Sequence, residues 1–257
     1  MRSWMKWLAV ALALAWLAGC GGGEDKTKAH VRLVNATSGY SSLSLVIGED
    51  SVATGVAYGG SDAYADIKPQ TDSADITRPG SATLLSTSSV TVAKDSHYTV
   101  LAYGKAGALA TQLLTDDEST PSSGKALVRV INTASDAGSL DVYLTAQSDT
   151  LGEASALATQ VAYGTLGDYI TVNSGTWRLR VTAQGSKTDL RLDLGGLVVP
   201  SEGVTTLVIT PGSGGVLVNA LLLVQQGGIA RAANPQARVR VVGATPGGTL
   251  TARSEEH

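Results

Sequence analysis

At 257 residues and a formal net charge of −3, the chain has room for two domains of about 100 residues each and carries no positive excess. That balance, with no block of basic residues anywhere, excludes a nucleic-acid surface of concentrated Lys and Arg. Phenylalanine is absent and glycine numbers 30, so the cores must be built from Val, Leu, Ile, Ala and Tyr on short strands joined by tight turns.

The chain opens with Arg2 and Lys6, then an unbroken apolar run over 7–17. The run is shorter than the roughly 20 residues a spanning helix needs, and it fits the apolar region of an export signal. Leu17, Ala18 and Gly19 then precede Cys20. Small uncharged residues before a Cys resemble the motif cut by lipoprotein signal peptidase, whose chemistry needs the thiol because a diacylglycerol is attached to it. Residues 1–19 are therefore expected to form a cleaved signal helix, with Cys20 as the lipid-carrying N-terminus. Cys20 is the sole cysteine, so an intramolecular disulfide is excluded. Gly21, Gly22, Gly23 and the polar residues after them read as a flexible tether over 20–27. By resemblance to known sorting rules, glycine after the acylated Cys favours the outer membrane.

Beyond the tether the chain repeats itself. Val31-Arg32-Leu33-Val34-Asn35 returns as Val128-Arg129-Val130-Ile131-Asn132, and again in part as Val239-Arg240-Val241-Val242. Val56-Ala57-Tyr58-Gly59 returns as Val161-Ala162-Tyr163-Gly164. A period near 100 residues is that of one β-sandwich rather than a short solenoid unit. This predicts two tandem Ig-like antiparallel sandwiches over 28–115 and 125–228. The acidic, Ser- and Pro-rich stretch 116–124 reads as a linker between them. Residues 229–257 read as a tail holding the first strand of an incomplete third repeat. In the second copy, Trp177, Leu179 and Val181 alternate with Arg178 and Arg180, and Leu190, Leu192 and Leu194 alternate with Asp189, Arg191 and Asp193. This is a hairpin with one dry and one wet face. It puts Arg180 opposite Asp189, or Arg178 opposite Asp193, on the solvent side.

The repeated openings, Ser139-Leu140-Asp141-Val142-Tyr143, the Val161–Gly164 segment and Ser174-Gly175-Thr176-Trp177-Arg178-Leu179 resemble the domain-of-unknown-function family 4397. The first copy is the weaker, with Asp72 where the second has Trp177. The resemblance implies secreted or lipid-anchored β-sandwich modules of bacteria and brings no catalytic residues to carry over.

Motifs with chemistry are sparse. No Gly-x-Ser-x-Gly elbow occurs, and Gly124-Lys125 is followed by Ala126 where a phosphate loop needs a hydroxyl. His30, His97 and His257 stand far apart in sequence with no Cys near them, so no zinc cluster is legible. His97 reads as a strand-end side chain and Asp116-Asp117-Glu118 as a solvated acidic hinge. The eight Tyr read first as core or edge packing and second as a sugar-binding face. The expectation is a non-catalytic envelope lipoprotein with an outer-membrane address, facing the periplasm or exposed at the surface, with tandem modules for structural or adhesive contact. The alternative is a small-ligand or glycan-binding module. No catalytic residue, metal or cofactor is assigned. The expected partners are the membrane, through the lipid on Cys20, and a protein or glycan.

Overall fold

Two strands of each half are largely buried on both faces, and that pattern sets the architecture. The computed structural model describes residues 24–212 and 215–236. Leu17, Ala18, Gly19 and Cys20 lie outside the described residues, as does the third copy from Ala237.

The first half runs β1 (Ala29–Asn35), β2 (Ser42–Ile47), β3 (Asp50–Ala57), β4 (Ala65–Ile67), β5 (Gln70–Thr77), β6 (Leu84–Val92), β7 (Ser96–Lys105) and β8 (Ala108–Thr115). The second runs β9 (Lys125–Asn132), β10 (Leu140–Thr145), β11 (Ala158–Val161), β12 (Ile170–Asn173), β13 (Gly175–Ala183), β14 (Leu190–Val199), β15 (Val204–Pro211), β16 (Val218–Val224) and β17 (Ile229–Ala232). The sheets of the first half have the orders β4-β1-β7-β8 and β3-β2-β5-β6. Those of the second repeat them as β12-β9-β15-β16-β17 and β11-β10-β13-β14. The described residues are thus all-β, in sandwiches.

Two details depart from the sequence reading. The sheets are not wholly antiparallel: β1 pairs in parallel with β7, and β9 with β15. A parallel pair needs a long crossover, and here the opposite sheet of the sandwich supplies it. Residues 229–232, assigned to the tail, form β17 and add a fifth strand beside β16.

Each sandwich has its own core. Val31, Leu33, Leu45, Ile76 and Val100 lie in the first, and Val128, Val130, Leu179, Leu192 and Leu207 in the second. A third cluster joins them: Val34, Leu101 and Leu114 of the first half with Ile131, Val208 and Leu223 of the second. The β1/β7 sheet therefore packs its outer face against that of the β9/β15 sheet, giving four layers. This is why β1 and β15 carry apolar residues without alternation, as strands covered on both faces do. At about 25 cal/mol per Å² of apolar surface, such a seam binds the halves far more firmly than a nine-residue linker could.

The repeated motifs do the same work twice. The Asn35 side chain donates to Val56 O at 3.0 Å and that of Asn132 to Val161 O at 3.0 Å. Gly59 N donates to Asn35 O and Gly164 N to Asn132 O. Both glycines have positive φ, 66° and 75°, which only glycine adopts at little cost.

The β13–β14 hairpin forms with a different register. Arg180 stands opposite Asp193, and Arg178 also grips Asp193 through two hydrogen bonds of 2.6 and 2.7 Å. Those bonds hold its pKa above the usual arginine value. Nor is this face wet throughout. Arg180 is buried because it donates to Thr145 Oγ1 and to Asp149 O in the loop after β10.

Candidate functional site at the seam between the halves

The seam contains a buried arginine from each half, held by equivalent partners. Arg32 Nε donates to Thr99 Oγ1 at 2.8 Å, and Arg129 Nε to Thr206 Oγ1 at 2.9 Å. Tyr64 stacks on Arg32 at 4.6 Å and Tyr169 on Arg129 at 4.3 Å, a cation–π geometry. Each arginine then crosses the seam. Arg32 reaches Val224 O at 3.1 Å and Gly227 O at 2.5 Å. Arg129 reaches Thr115 O at 3.5 Å. The strand registers make Thr115 and Val224 equivalent positions. The contact is reciprocal, as in a twofold interface, but within one chain.

Around Arg32 the symmetry ends. The β1–β7 register places His30 beside His97, and their rings stack with centroids 4.6 Å apart, close to the spacing of neighbouring strands. His30 Nδ1 bonds Asp66 Oδ1 at 2.7 Å, and His97 Nδ1 bonds Asp117 Oδ1 at 3.0 Å. Asp117 also accepts from His97 N at 2.8 Å. His97 Nε2 faces Glu24 Oε1 at 3.1 Å. His30 Nε2 is buried with no hydrogen-bond partner among the described residues. One ligand atom from each of Glu24, His30 and His97 can be chosen so that all lie within 4.8 Å of one another.

Burial opposes charge on His97, but its bonds to Glu24 and Asp117 and their negative charges prevail, and its pKa is raised. Asp116 is buried beneath the cluster. It accepts from Tyr64 Oη at 2.7 Å and Thr99 Oγ1 at 2.5 Å and lies 3.6 Å from Arg32. Burial, then the Asp116 charge, pushes the Tyr64 phenol well above its ordinary value.

The acidic stretch is therefore no solvated hinge. Asp116 and Asp117 are both engaged, and Glu118 exchanges two backbone hydrogen bonds with the Gln225 side chain, at 2.9 and 2.8 Å. Nor is His97 a plain strand-end residue. Sequence separation hid the pair, since a parallel register cannot be read from spacing. The legible signal was the polar sequence His30, Arg32 on a strand otherwise apolar on both faces.

A second concavity, of about 440 Å³, lies at one end of the first sandwich, lined by Tyr40, Ser41, Ser42, Arg78 and Pro79. Arg78 stands over the Tyr40 ring at 5.4 Å. Of the other tyrosines, Tyr103 and Tyr143 are buried and Tyr163 is partly exposed.

Residues 29–143 match the model of a family described as a domain of unknown function, DUF4397. The matched segment covers β1 to β9 and most of β10. No curated protein matches the chain. A crystal structure of a candidate cell adhesion protein from Bacteroides fragilis aligns with 84% of this chain and all of its own, at 9% identity and a TM-score of 0.19. That similarity is too slight to bear on fold or function. Among the described residues no helix is long and apolar enough to cross a membrane.

Proposed function

We propose that this chain is a non-catalytic lipoprotein of the bacterial cell envelope, held to the outer membrane through Cys20, whose paired sandwiches serve structural or adhesive contact. The observation that carries this reading is the reciprocal seam. It joins two modules into one four-layer body, so that the outer sheets and loop ends are what a partner would meet. Those outer faces suit contact rather than chemistry: on β5 and β6, Thr71 bonds Thr91 and Asp75 bonds Thr87 across a flat, hydroxyl-rich surface.

Protease accessibility on intact cells tests it, with Cys20→Ala as the control for anchoring. Digestion without lysis favours adhesion. Protection until the outer membrane is opened favours a periplasmic structural role. A Cys20→Ala protein that stays in the membrane fraction overturns the anchor.

The Tyr40–Arg78 concavity favours a second reading, a small-ligand or glycan site. The Tyr40 ring is buried beneath Arg78, but the exposed Arg78 guanidinium and Ser41 hydroxyl offer the few polar groups that orient a small ligand or sugar. A glycan array and thermal-shift screen test this. A shift abolished by Arg78→Ala supports the reading, and no shift with any glycan sinks it.

A further inference from the structure

We propose that Glu24, His30 and His97 form a binding site for a late first-row divalent cation of the zinc class, where the tether enters the seam. Imidazole nitrogens with one carboxylate are a donor set such ions favour, and three protein ligands leave a fourth position for water.

Three observations meet here. The first is orientation. Both histidines engage carboxylates through Nδ1, Asp66 at 2.7 Å and Asp117 at 3.0 Å, which is the outer-shell arrangement that fixes a metal-binding ring and directs Nε2 toward the ion. The second is the unsatisfied atom. His30 Nε2 is buried without a partner among the described residues, on a residue only 2% exposed. A buried polar atom left so is destabilising, and a cation bonded to it would remove that cost. The third is the comparison that the duplication supplies. By strand register, the positions of His30 and His97 are held in the second half by Leu127 and Val204. Thr171 stands for Asp66, and Gln225 and Gln226 for Asp116 and Asp117. The fold accommodates an apolar pair here, so the imidazoles and their carboxylates are additions to the scaffold, not requirements of it.

The field suits a cation. Glu24, Asp66, Asp116 and Asp117 surround the rings, and the nearby Arg32 is paired with Asp116. Tetrahedral bonds of about 2.0–2.1 Å put donor atoms about 3.3 Å apart. The rings stack only 23° from parallel, so ligation requires the imidazoles to swing out of the stack toward a common point, with a turn of the exposed Glu24 side chain to close the set. A cation there takes the place of the proton between His97 Nε2 and Glu24, and that proton leaves to solvent.

The test is titration of zinc chloride into the full chain, purified in detergent and stripped with chelator, followed by calorimetry and thermal unfolding. One zinc per chain and a raised Tm are expected. His30→Ala and His97→Ala each weaken binding by more than the 10–100-fold expected of the outer-shell Asp66→Asn, while His257→Ala leaves it unchanged. Glu24→Gln alters an exposed residue outside every strand, so its expected loss of affinity with an unchanged circular dichroism spectrum separates ligation from folding. X-ray absorption at the zinc edge should show two imidazoles. An absence of saturable binding, or affinity that survives both histidine substitutions or Glu24→Gln, overturns the proposal.

Discussion

The two ends of the seam hold the same arginine, threonine and tyrosine, yet differ in everything added around them. On the second half's side Arg129, Thr206 and Tyr169 complete the contact with no carboxylate paired to the arginine, although Asp117, Glu118 and Asp168 line the concavity beside it. At the other, Arg32, Thr99 and Tyr64 are joined by Asp116, Asp117, His30 and His97. A duplicated scaffold performs its own control experiment. What recurs is what holding the halves together requires, and what occurs once is free to serve another purpose. The first end has acquired charge, and buried charge makes it the more fragile of the two.

Arg32→Met breaks that end most severely. It leaves Asp116 buried beside two hydroxyl donors without its cationic partner, and uncoupling a buried pair costs about 3–5 kcal/mol. Equilibrium urea unfolding would measure it. A loss under about 1 kcal/mol would show the arginine to be dispensable to the seam. Leu101→Ala comes next. Leu101 is fully buried between the halves, and truncating such a leucine costs about 2–5 kcal/mol. If the halves behaved as independent beads, the same change would cost almost nothing, since Leu101 would lie on an open face. Two separate unfolding transitions in the variant, against one in the parent, would show that the seam couples them. Arg129→Met should cost less than its counterpart, about 1–3 kcal/mol, because it strands hydrogen-bond partners, Thr206 Oγ1 and Thr115 O, rather than a carboxylate. Equal losses for the two arginines would erase the contrast between the ends.

Much of this molecule was legible in its residues. The recurrence of Val-Arg-(Leu/Val)-(Val/Ile)-Asn and of Val-Ala-Tyr-Gly marks equivalent strands and turns, and local sequence carries such signals well. The residues that matter at the seam lie within those repeats, but their burial is not apparent from the sequence. Arg32 reads as a solvent-face residue when one assumes a strand with a single dry face. Only packing of sheet on sheet makes both faces dry, and packing is a tertiary fact. The histidine pair was hidden for a related reason. His30 and His97 are 67 positions apart, brought together by a parallel register that no turn specifies. Asp116 and Asp117 misled in the opposite direction, because an acidic run beside Pro121 resembles a linker even where its first members are held by side chains across the seam.

The smallest expected effect is the most discriminating. The double variant His30→Leu, His97→Val gives the first half the pair that the second half uses at the same register, Leu127 with Val204. If the second half is a fair guide, strand pairing and ring packing survive, because both new side chains suit a pleated, half-buried surface. The unpartnered His30 Nε2 disappears with the ring, which favours the variant. Asp66 and Asp117 lose their imidazole partners, but their side chains are 53% and 32% exposed and water can serve them. Exposed ion pairs contribute little, and water can take the place of the imidazoles, so unfolding free energy should move by less than about 1 kcal/mol in metal-free buffer. Zinc should then separate the proteins, raising the Tm of the parent and leaving the variant where it was. A double variant that fails to fold would mean that the first half depends on its histidines for structure, and that the Leu127–Val204 pair is no guide to what the first half tolerates.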